Sequence, residues 1–302
     1  MPRKQLTDEE RAARREADRQ TTREAVEQLK STEGWQRWLA VRRHFHTYTL
    51  RNQLLIAMQC PEATRVAGFR AWLNLGYGVR KGEQSIRIWT PMPPSKRAIA
   101  EWKAAGAVPD DKPPTRFKLG PVFDRSQVDP LPAPAEPVPL DPPLVQLEGD
   151  ELADVWPQLM LLAGDIGSSV RVAELPAQKG GTYNLETKQI TIASGRSVNA
   201  QVRTLVHELA HALLRAEPDA DDDTLTYAEE ELVVESVAYT VCGSLGLDTG
   251  GYSIPYLASW SQSTELATIE RAAGLIDRLA RQIEDAVERA EAAVDEPVAT
   301  AA

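Results

Sequence analysis

Apolar residues recur at helical spacing near the start of the chain. Residues 22–40 follow this pattern, which predicts one continuous helix. Its apolar positions are Val26, Leu29, Trp35, Trp38 and Leu39. Residues 49–59 predict a second helix. Residues 67–75 predict a third, short helix that ends at Gly76.

The pattern then changes from helical spacing to alternation. Ile86 and Ile88 alternate with Ser85, Arg87 and Trp89, which predicts a strand. Residues 117–124 predict its partner strand. The first half of the chain is therefore predicted to form an α+β domain.

Helical periodicity dominates the second half. The predicted helices span 150–164, 199–215, 226–245 and 264–290. Asn199 is the expected N-cap of the second of these helices. Residues 182–184 and 189–193 predict a β-hairpin before it. This half is therefore predicted to be mainly helical, with a small hairpin or sheet.

A proline-rich stretch separates the two halves. Residues 128–146 contain seven prolines, which exclude a helix or a central strand and favour an extended spacer. The fold class is therefore α+β with two domains. The predicted regions are a charged arm (1–20), a first domain (21–127), a linker (128–147), a second domain (148–290) and a disordered tail (291–302).

The charge is divided unevenly between the halves. The net charge of the 302 residues is −10, but residues 1–127 hold 24 Lys and Arg against 14 Asp and Glu. Residues 128–302 hold 10 basic against 30 acidic residues. A basic half indicates contact with a polyanion such as nucleic acid. The alternative is that the two halves attract each other.

Membrane insertion and secretion are not expected. The sequence has no run of about 18 apolar residues and no apolar segment typical of a signal peptide. Cys60 and Cys242 are too few for a disulfide framework. A cytoplasmic location without a membrane partner is therefore predicted.

The strongest chemical signal is an H-E-x-x-H motif in the helix predicted at 199–215. His207 and His211 are four residues apart, so both imidazoles lie on one helix face and can bind one Zn²⁺. Glu208 stands beside them as the candidate general base that activates water.

A catalytic zinc site needs a third protein ligand. Glu231 and Glu235 share a face of the next predicted helix, so one can be the ligand and the other can orient a histidine. Small or apolar residues follow Glu235, which favours it as the ligand, and Glu231 remains open. Glu229 and Glu230 lie off this face and are expected to be solvated. Residues 189–193 are the candidate edge strand for an extended peptide substrate.

Aromatic and basic residues are interleaved in the first half, where five of the seven tryptophans lie. Bases of single-stranded nucleic acid stack on aromatic rings, and cations follow the phosphates. The candidate DNA-binding residues are Tyr48, Arg51, Asn52, Arg80, Lys81 and Trp89. The aromatic residues expected in the core are Trp38, Phe69 and Trp72.

Several motifs resemble a known family. They are Tyr48…Asn52-x-x-Leu55-Ile56-x-x-Gln59, Val66-Ala67-Gly68-Phe69-x-x-Trp72, Arg80-Lys81-Gly82-Glu83 and Val122-Phe123-Asp124-x-Ser126-Gln127. They are similar to the single-stranded-DNA-binding N-terminal domain of ArdC-type antirestriction proteins. HELAH followed by YAEEELVVE resembles that family's zincin-like metallopeptidase domain and the wider ImmA/IrrE-type peptidases.

The resemblance implies a protein of a mobile element, such as a plasmid or phage, that binds single-stranded DNA and cleaves an unidentified protein with Zn²⁺. It again favours Glu235 as the third ligand. Two positions depart from the family pattern: Val128 follows Gln127, and Val233 stands two residues before Glu235. The alternative function is a protein that coats single-stranded DNA and keeps a structural or vestigial zinc site without protease activity.

Overall fold

The chain divides into two units, each built from two separate stretches of sequence. In the computed structural model, the first unit comprises residues 1–27 and 51–138, and the second comprises 28–50 and 139–302. The structure describes residues 7–92, 94, 96–104, 106, 115–132, 147–216, 225–247 and 266–295. Residues 28–50, predicted to belong to the N-terminal domain, therefore pack with the C-terminal part of the chain.

The described residues form helices and strands in both units, in agreement with an α+β class. The helices are α1 (Asp8–Glu27), α2 (Thr32–Arg42), α3 (Leu50–Gln59), α4 (Phe69–Asn74), α5 (Lys96–Ala104), α6 (Val155–Asp165), α7 (Val198–Ala216), α8 (Tyr227–Ser244) and α9 (Leu266–Asp295). The strands are β1 (Val66–Ala67), β2 (Tyr77–Val79), β3 (Ile86–Met92), β4 (Arg116–Asp124), β5 (Val128–Pro130), β6 (Ser169–Ala173), β7 (Gly181–Asn184) and β8 (Gln189–Ala193).

Two small antiparallel sheets organise the first unit. One has the order β1-β4-β3, and the other pairs β2 with β5. Strand β5 occupies the start of the predicted linker, and residues 133–146 of that linker lie outside the described part. Trp72 is fully buried, as predicted, and its Nε1 donates to the Phe123 carbonyl at 2.8 Å. Phe69 was predicted to be in the core, but it is 52% exposed at the first position of the short helix α4.

Two side-chain amides of α3 cover the outer edge of β3. Asn52 donates to the Trp89 carbonyl at 2.9 Å and accepts from the Trp89 N–H at 2.8 Å. Gln59 makes the same pair of bonds with the backbone of Arg87, at 3.0 and 2.9 Å. An edge strand needs partners for its outward backbone groups. Asn52 was predicted to be a surface residue for DNA, but it is buried and both ends of its amide bind the strand.

Replacing Asn52 by leucine tests this edge cover. Asn52→Leu keeps the volume but leaves the N–H and C=O of Trp89 without these partners, so we expect the free energy of unfolding to fall by about 1–3 kcal/mol. Urea unfolding of the full chain measures the change. Asn74→Leu, at an exposed position of the same unit, should change it by less than about 0.5 kcal/mol. Equal effects of the two substitutions would contradict the assigned role.

The residues around β4 and β5 form a hydrogen-bonded turn. The buried Asp124 carboxylate accepts from the N–H groups of Thr64, Arg65 and Ser126 at 2.8–3.1 Å. Arg80, a predicted DNA contact, forms ion pairs with Glu83 and Asp129 and donates to the Ser126 carbonyl. Its guanidinium is therefore already engaged within the first unit.

The second unit combines a three-stranded sheet with five helices among its described residues. The strand order is β6-β8-β7, with β8 parallel to β6 and antiparallel to β7. The predicted hairpin is confirmed, but β8 (Gln189–Ala193) is the central strand and not the expected edge. Among the described strands, β7 and β6 are the outer ones. This order fits burial, because four of the five residues of β8 are buried.

Asn199 does not cap α7, which begins one residue before it. The side chain of Asn199 is buried, accepts from the Leu152 N–H at 3.0 Å and donates to Glu151 at 2.7 Å. The hydroxyl of Ser197 instead accepts from the Ala200 N–H at 3.3 Å. The helix predicted at 150–164 starts later than expected, at Val155.

The continuous helix predicted at 22–40 is interrupted at 28–31. A 3-10 turn (Gln28–Lys30) follows α1, and Ser31 caps α2 by accepting from the Gly34 N–H at 3.0 Å. Gly34 permits this close turn, since a Cβ there would stand 1.9 Å from the Gln28 carbonyl oxygen. The interruption coincides with the passage of the chain from the first unit to the second.

The charged arm predicted at 1–20 is helical from Asp8 onward. The last helix, α9, extends to Asp295, five residues into the predicted tail, and residues 296–302 lie outside the described part. No helix among the described residues has the length and apolar character needed to cross a membrane.

Candidate metal centre

Helix α7 places the two histidines of the H-E-x-x-H motif side by side. The ring centroids of His207 and His211 are 5.0 Å apart. Their side chains are 17% and 15% exposed, because the apolar face of α7 packs into the second unit and the histidine face lies at its margin. The predicted helix and the predicted shared face of the histidines are thus both present in the structure.

Helix α8 brings three carboxylates to these histidines. It begins with a capping box in which Thr226 and Glu229 bind each other's backbone N–H groups. This capping fixes the start of the helix at Tyr227, three residues before Glu230. Among the described residues, His207, His211 and Glu231 each offer a ligand atom within 4.8 Å of the others. The structure therefore groups Glu231 with the histidines, and not Glu235, which the sequence had favoured.

Glu235 contacts Nδ1 of His207. Its Oε1 lies 3.2 Å from His207 Nδ1, and its Oε2 lies 3.4 Å from the guanidinium of Arg203. Burial is the largest single influence and would lower the pKa of His207, but the Glu235 contact and the charges of Glu208 and Glu231 together raise that pKa above its usual value. The same contact lowers the pKa of Glu235. Glu235 is therefore an ionised partner of His207.

Glu230 makes the corresponding contact with His211. Its Oε1 lies 3.1 Å from His211 Nδ1, and its other oxygen accepts from Arg215. Its side chain is only 13% exposed, so the expectation of a solvated Glu230 was wrong. The spacing on α8 did not point to Glu230. The available signal was Arg215, which follows His211 by one helical turn.

The pKa of His211 lies below its usual value. Burial is the main cause, and the neighbouring His207 adds to it. A lowered pKa favours the neutral imidazole, which is the form that binds metal ions.

Glu208 is buried against strand β7. It is 7% exposed and accepts from the backbone N–H of Tyr183. A Cβ on Gly181 would stand 3.0 Å from its Oε1, so the glycine allows β7 to approach this closely. Burial raises the pKa of Glu208 to about 7. A carboxylate with a pKa near neutrality can both accept and release a proton.

The donor set fits a divalent metal ion. Two imidazoles and one carboxylate are a ligand set of catalytic Zn²⁺ sites, and the same set also suits Mn²⁺ and Fe²⁺. His207 Nδ1 is buried, and its 3.2 Å contact with Glu235 is not a well-aligned hydrogen bond, so the ring is not locked by this contact. Two histidines surrounded by carboxylates would also gain from a cation at their centre.

The other predicted DNA-binding residues are spread over both units. Arg51 and Lys81 are exposed on the first unit. Trp89 is half-buried there and its Nε1 donates to Thr22 at 3.0 Å. Tyr48 belongs to the second unit, where its ring meets Phe45 edge-on and its carbonyl accepts from Arg281 at 3.0 Å. Three of these four residues therefore belong to the first unit and one belongs to the second.

Comparison with known proteins identifies the N-terminal part of the chain. Residues 15–118 match the family described as the N-terminal domain of anti-restriction factor ArdC. An uncharacterized protein of Bacillus anthracis is 26% identical over an alignment of 249 positions, which covers 72% of this chain and 41% of that protein. The chain thus spans less than half the length of that relative.

Two crystal structures of the antirestriction ArdC protein from the R388 plasmid also match. The metal-free structure is 21% identical with a TM-score of 0.45, covering 82% of this chain and 86% of that chain. The Mn(II)-bound structure is 22% identical with a TM-score of 0.42, covering 81% and 82%. The family match confirms the resemblance to the ArdC N-terminal domain for residues 15–118.

Proposed function

We propose that this chain, whose N-terminal domain is of the ArdC type, binds single-stranded DNA through its first unit and is a zinc-dependent peptidase in its second. The observation that carries the peptidase proposal is the group of His207, His211 and Glu231 beside a buried Glu208. The setting implied by the ArdC-type domain is a mobile element such as a plasmid.

Each residue of the centre has a definite task in this proposal. His207, His211 and Glu231 would hold the ion. When bound, Zn²⁺ supplies a Lewis acid that polarises the peptide carbonyl and lowers the pKa of water. Glu208 accepts the proton of the attacking water at its carboxylate and then delivers it to the leaving amine. Its pKa of about 7 suits both steps.

Strand β7 is the proposed seat of an extended peptide. It lies at the outside of the described sheet, and its Tyr183 N–H reaches Glu208. A peptide that binds along such a strand gains main-chain hydrogen bonds. It then lies beside the general base. The substrate strand is thus assigned to β7 instead of β8.

Metal binding by the full chain tests the ligand assignment. We expect Glu231→Ala and His211→Ala to weaken Zn²⁺ binding by more than about 100-fold, since each removes a ligand and not merely a supporting contact. Competition with a chromophoric chelator measures the affinity. Mn²⁺ is titrated in parallel, because the same set of two imidazoles and a carboxylate also suits that ion. Glu186→Ala, in an exposed turn of the same unit, is the control. Unchanged affinity in Glu231→Ala would refute its assignment as a ligand.

The DNA-binding proposal rests on exposed groups of the first unit. Phe69 is 52% exposed on α4 beside the exposed Arg70, so its ring is available to a base. Arg51 and Lys81 are exposed cations that can follow phosphates. Stacking on an exposed ring together with backbone neutralisation is the usual way to bind single strands without sequence preference.

Replacing Phe69 by alanine should weaken binding of a labelled single-stranded oligonucleotide by about 1–3 kcal/mol. Lys81→Ala should instead reduce the slope of log affinity against log salt by about 0.7. Leu73→Ala is the matched control, because Leu73 is an exposed apolar residue one turn further along α4 that cannot stack. Equal losses in Phe69→Ala and Leu73→Ala would point to damage of α4 and against stacking.

A further inference from the structure

We propose that Glu230 and Glu235 are positioning residues for the two histidines, and that each is held in place by an arginine of α7. The proposal rests on the proposed metal centre and adds four residues to it. Glu230 works with Arg215 on His211, and Glu235 works with Arg203 on His207.

The two series of side-chain contacts follow the same order. Arg203 precedes His207 by four residues, and Arg215 follows His211 by four residues, so each arginine lies one turn from its histidine on α7. Each reaches a carboxylate of α8 that in turn contacts Nδ1 of that histidine. The pattern therefore runs from arginine to carboxylate to imidazole at both ends of the motif.

The carboxylates determine which nitrogen faces the metal. A carboxylate at Nδ1 accepts a hydrogen bond and so keeps the proton on that nitrogen. The lone pair is then on Nε2, and His211 Nε2 is the atom that lies 3.6 Å from Glu231. At His207 the Glu235 carboxylate stands 3.2 Å from Nδ1 without the alignment of a full hydrogen bond, and this proximity likewise favours the proton on Nδ1 and leaves Nε2 as the ligand atom. Both carboxylates thus favour the tautomer that the site requires.

The arginines distinguish positioning carboxylates from the ligand. Glu230 and Glu235 each use one oxygen for an arginine and the other for a histidine. Glu231 instead contacts His211 Nε2 and the hydroxyl of Tyr227. Three carboxylates within six residues of one helix thereby take different roles, and the sequence of α8 alone gives no sign of the difference.

Zn²⁺ titration of the full chain is the first test. Glu230→Ala and Glu235→Ala should each weaken binding by about 10–100-fold. The Glu→Gln variants should recover most of this loss, because an amide oxygen still accepts from Nδ1–H. Arg215→Met should cost less than Glu230→Ala, and the double variant should cost no more than Glu230→Ala alone, since the two act as a unit. Glu186→Gln, exposed in the same unit, is the isosteric control.

The tautomer of each ring is the second test, and it does not depend on bound metal. Long-range ¹H–¹⁵N spectra of the metal-free chain report which nitrogen carries the proton, and four histidines make assignment practical. We expect Nδ1–H at His207 and His211 in the wild type, and loss of that preference at His211 alone in Glu230→Ala and at His207 alone in Glu235→Ala. A purely structural role would leave the tautomers unchanged.

The possible outcomes distinguish the positioning proposal from the metal-centre proposal on which it rests. Absence of Zn²⁺ and Mn²⁺ binding in the wild type would remove the metal centre itself. Tight binding that survives both alanine variants, or Nε2–H on both rings, would overturn the positioning roles and leave the centre standing. Abolished binding in Glu235→Ala with normal binding in Glu231→Ala would exchange their roles.

Discussion

We expect Glu208→Gln to lower the rate of peptide hydrolysis by about 10²–10⁴-fold, the usual contribution of a general base. Glutamine keeps the shape of the side chain, and its amide oxygen can still accept from the Tyr183 N–H, but it cannot take a proton from water. Zn²⁺ affinity should stay at the wild-type level, because Glu208 is outside the group of ligand residues. The same variant thus separates catalysis from metal binding.

The measurement compares wild type and Glu208→Gln on an unfolded protein substrate, with and without a single-stranded oligonucleotide. Glu186→Gln serves as a control for loss of one carboxylate from the second unit. Cleavage retained by Glu208→Gln would rule out Glu208 as the base. If the wild type binds Zn²⁺ and cleaves nothing in either condition, the site is structural and the DNA-coating alternative is favoured.

Part of the candidate metal centre could be predicted from the sequence because it depends on one helix. The spacing of His207 and His211 fixes their common face once α7 forms, and the apolar pattern predicts α7. The third candidate ligand, Glu231, depends on the packing of α8 against α7. The apolar neighbours of Glu235 indicated its burial but not Arg203, which occupies one of its oxygens.

In the first unit, the motifs could be recognised in the sequence, but the exposure of their side chains could not be predicted from it. The motifs that resemble the ArdC domain include Asn52, Gln59 and Asp124, and these side chains hold backbone groups of the unit. A motif gives residue types but not their exposure, so Asn52 was expected on the surface although it is buried. The seven-residue interval between Asn52 and Gln59, two helical turns, was the available sign of a shared structural role.

The domain boundary was missed for a similar reason. Residues 28–50 are basic and aromatic like their neighbours, yet Trp35 and Trp38 are buried and pack edge-on at 5.1 Å in the second unit. Composition describes a stretch of chain and cannot show which core its side chains enter. The interruption at 28–31 was hidden because helical periodicity continues across it.

Arg42 forms buried ion pairs whose loss should strongly destabilise the second unit. Its guanidinium is fully buried, with Nε 3.1 Å from Asp277 and a terminal nitrogen 2.5 Å from Glu284, both on α9. Arg42→Ala leaves these carboxylates buried without their cation. We therefore expect the free energy of unfolding of the second unit to fall by about 3–5 kcal/mol. Arg37→Ala, which removes an exposed pair with Glu33 on the same helix, should cost about 0–1 kcal/mol.

Urea unfolding of the full chain measures the stability of both variants. Added Zn²⁺ identifies which unfolding transition belongs to the second unit. An ion that binds only the folded second unit raises the stability of that unit and leaves the first unchanged. Arg42→Ala should lower the same transition that Zn²⁺ raises. If it lowers the other transition, residues 28–50 belong to the first unit. If the triple variant Arg42→Met, Asp277→Leu, Glu284→Leu regains the lost stability, the cost lies in unpaired charge and not in lost packing, because apolar residues of similar size can replace a buried ion pair.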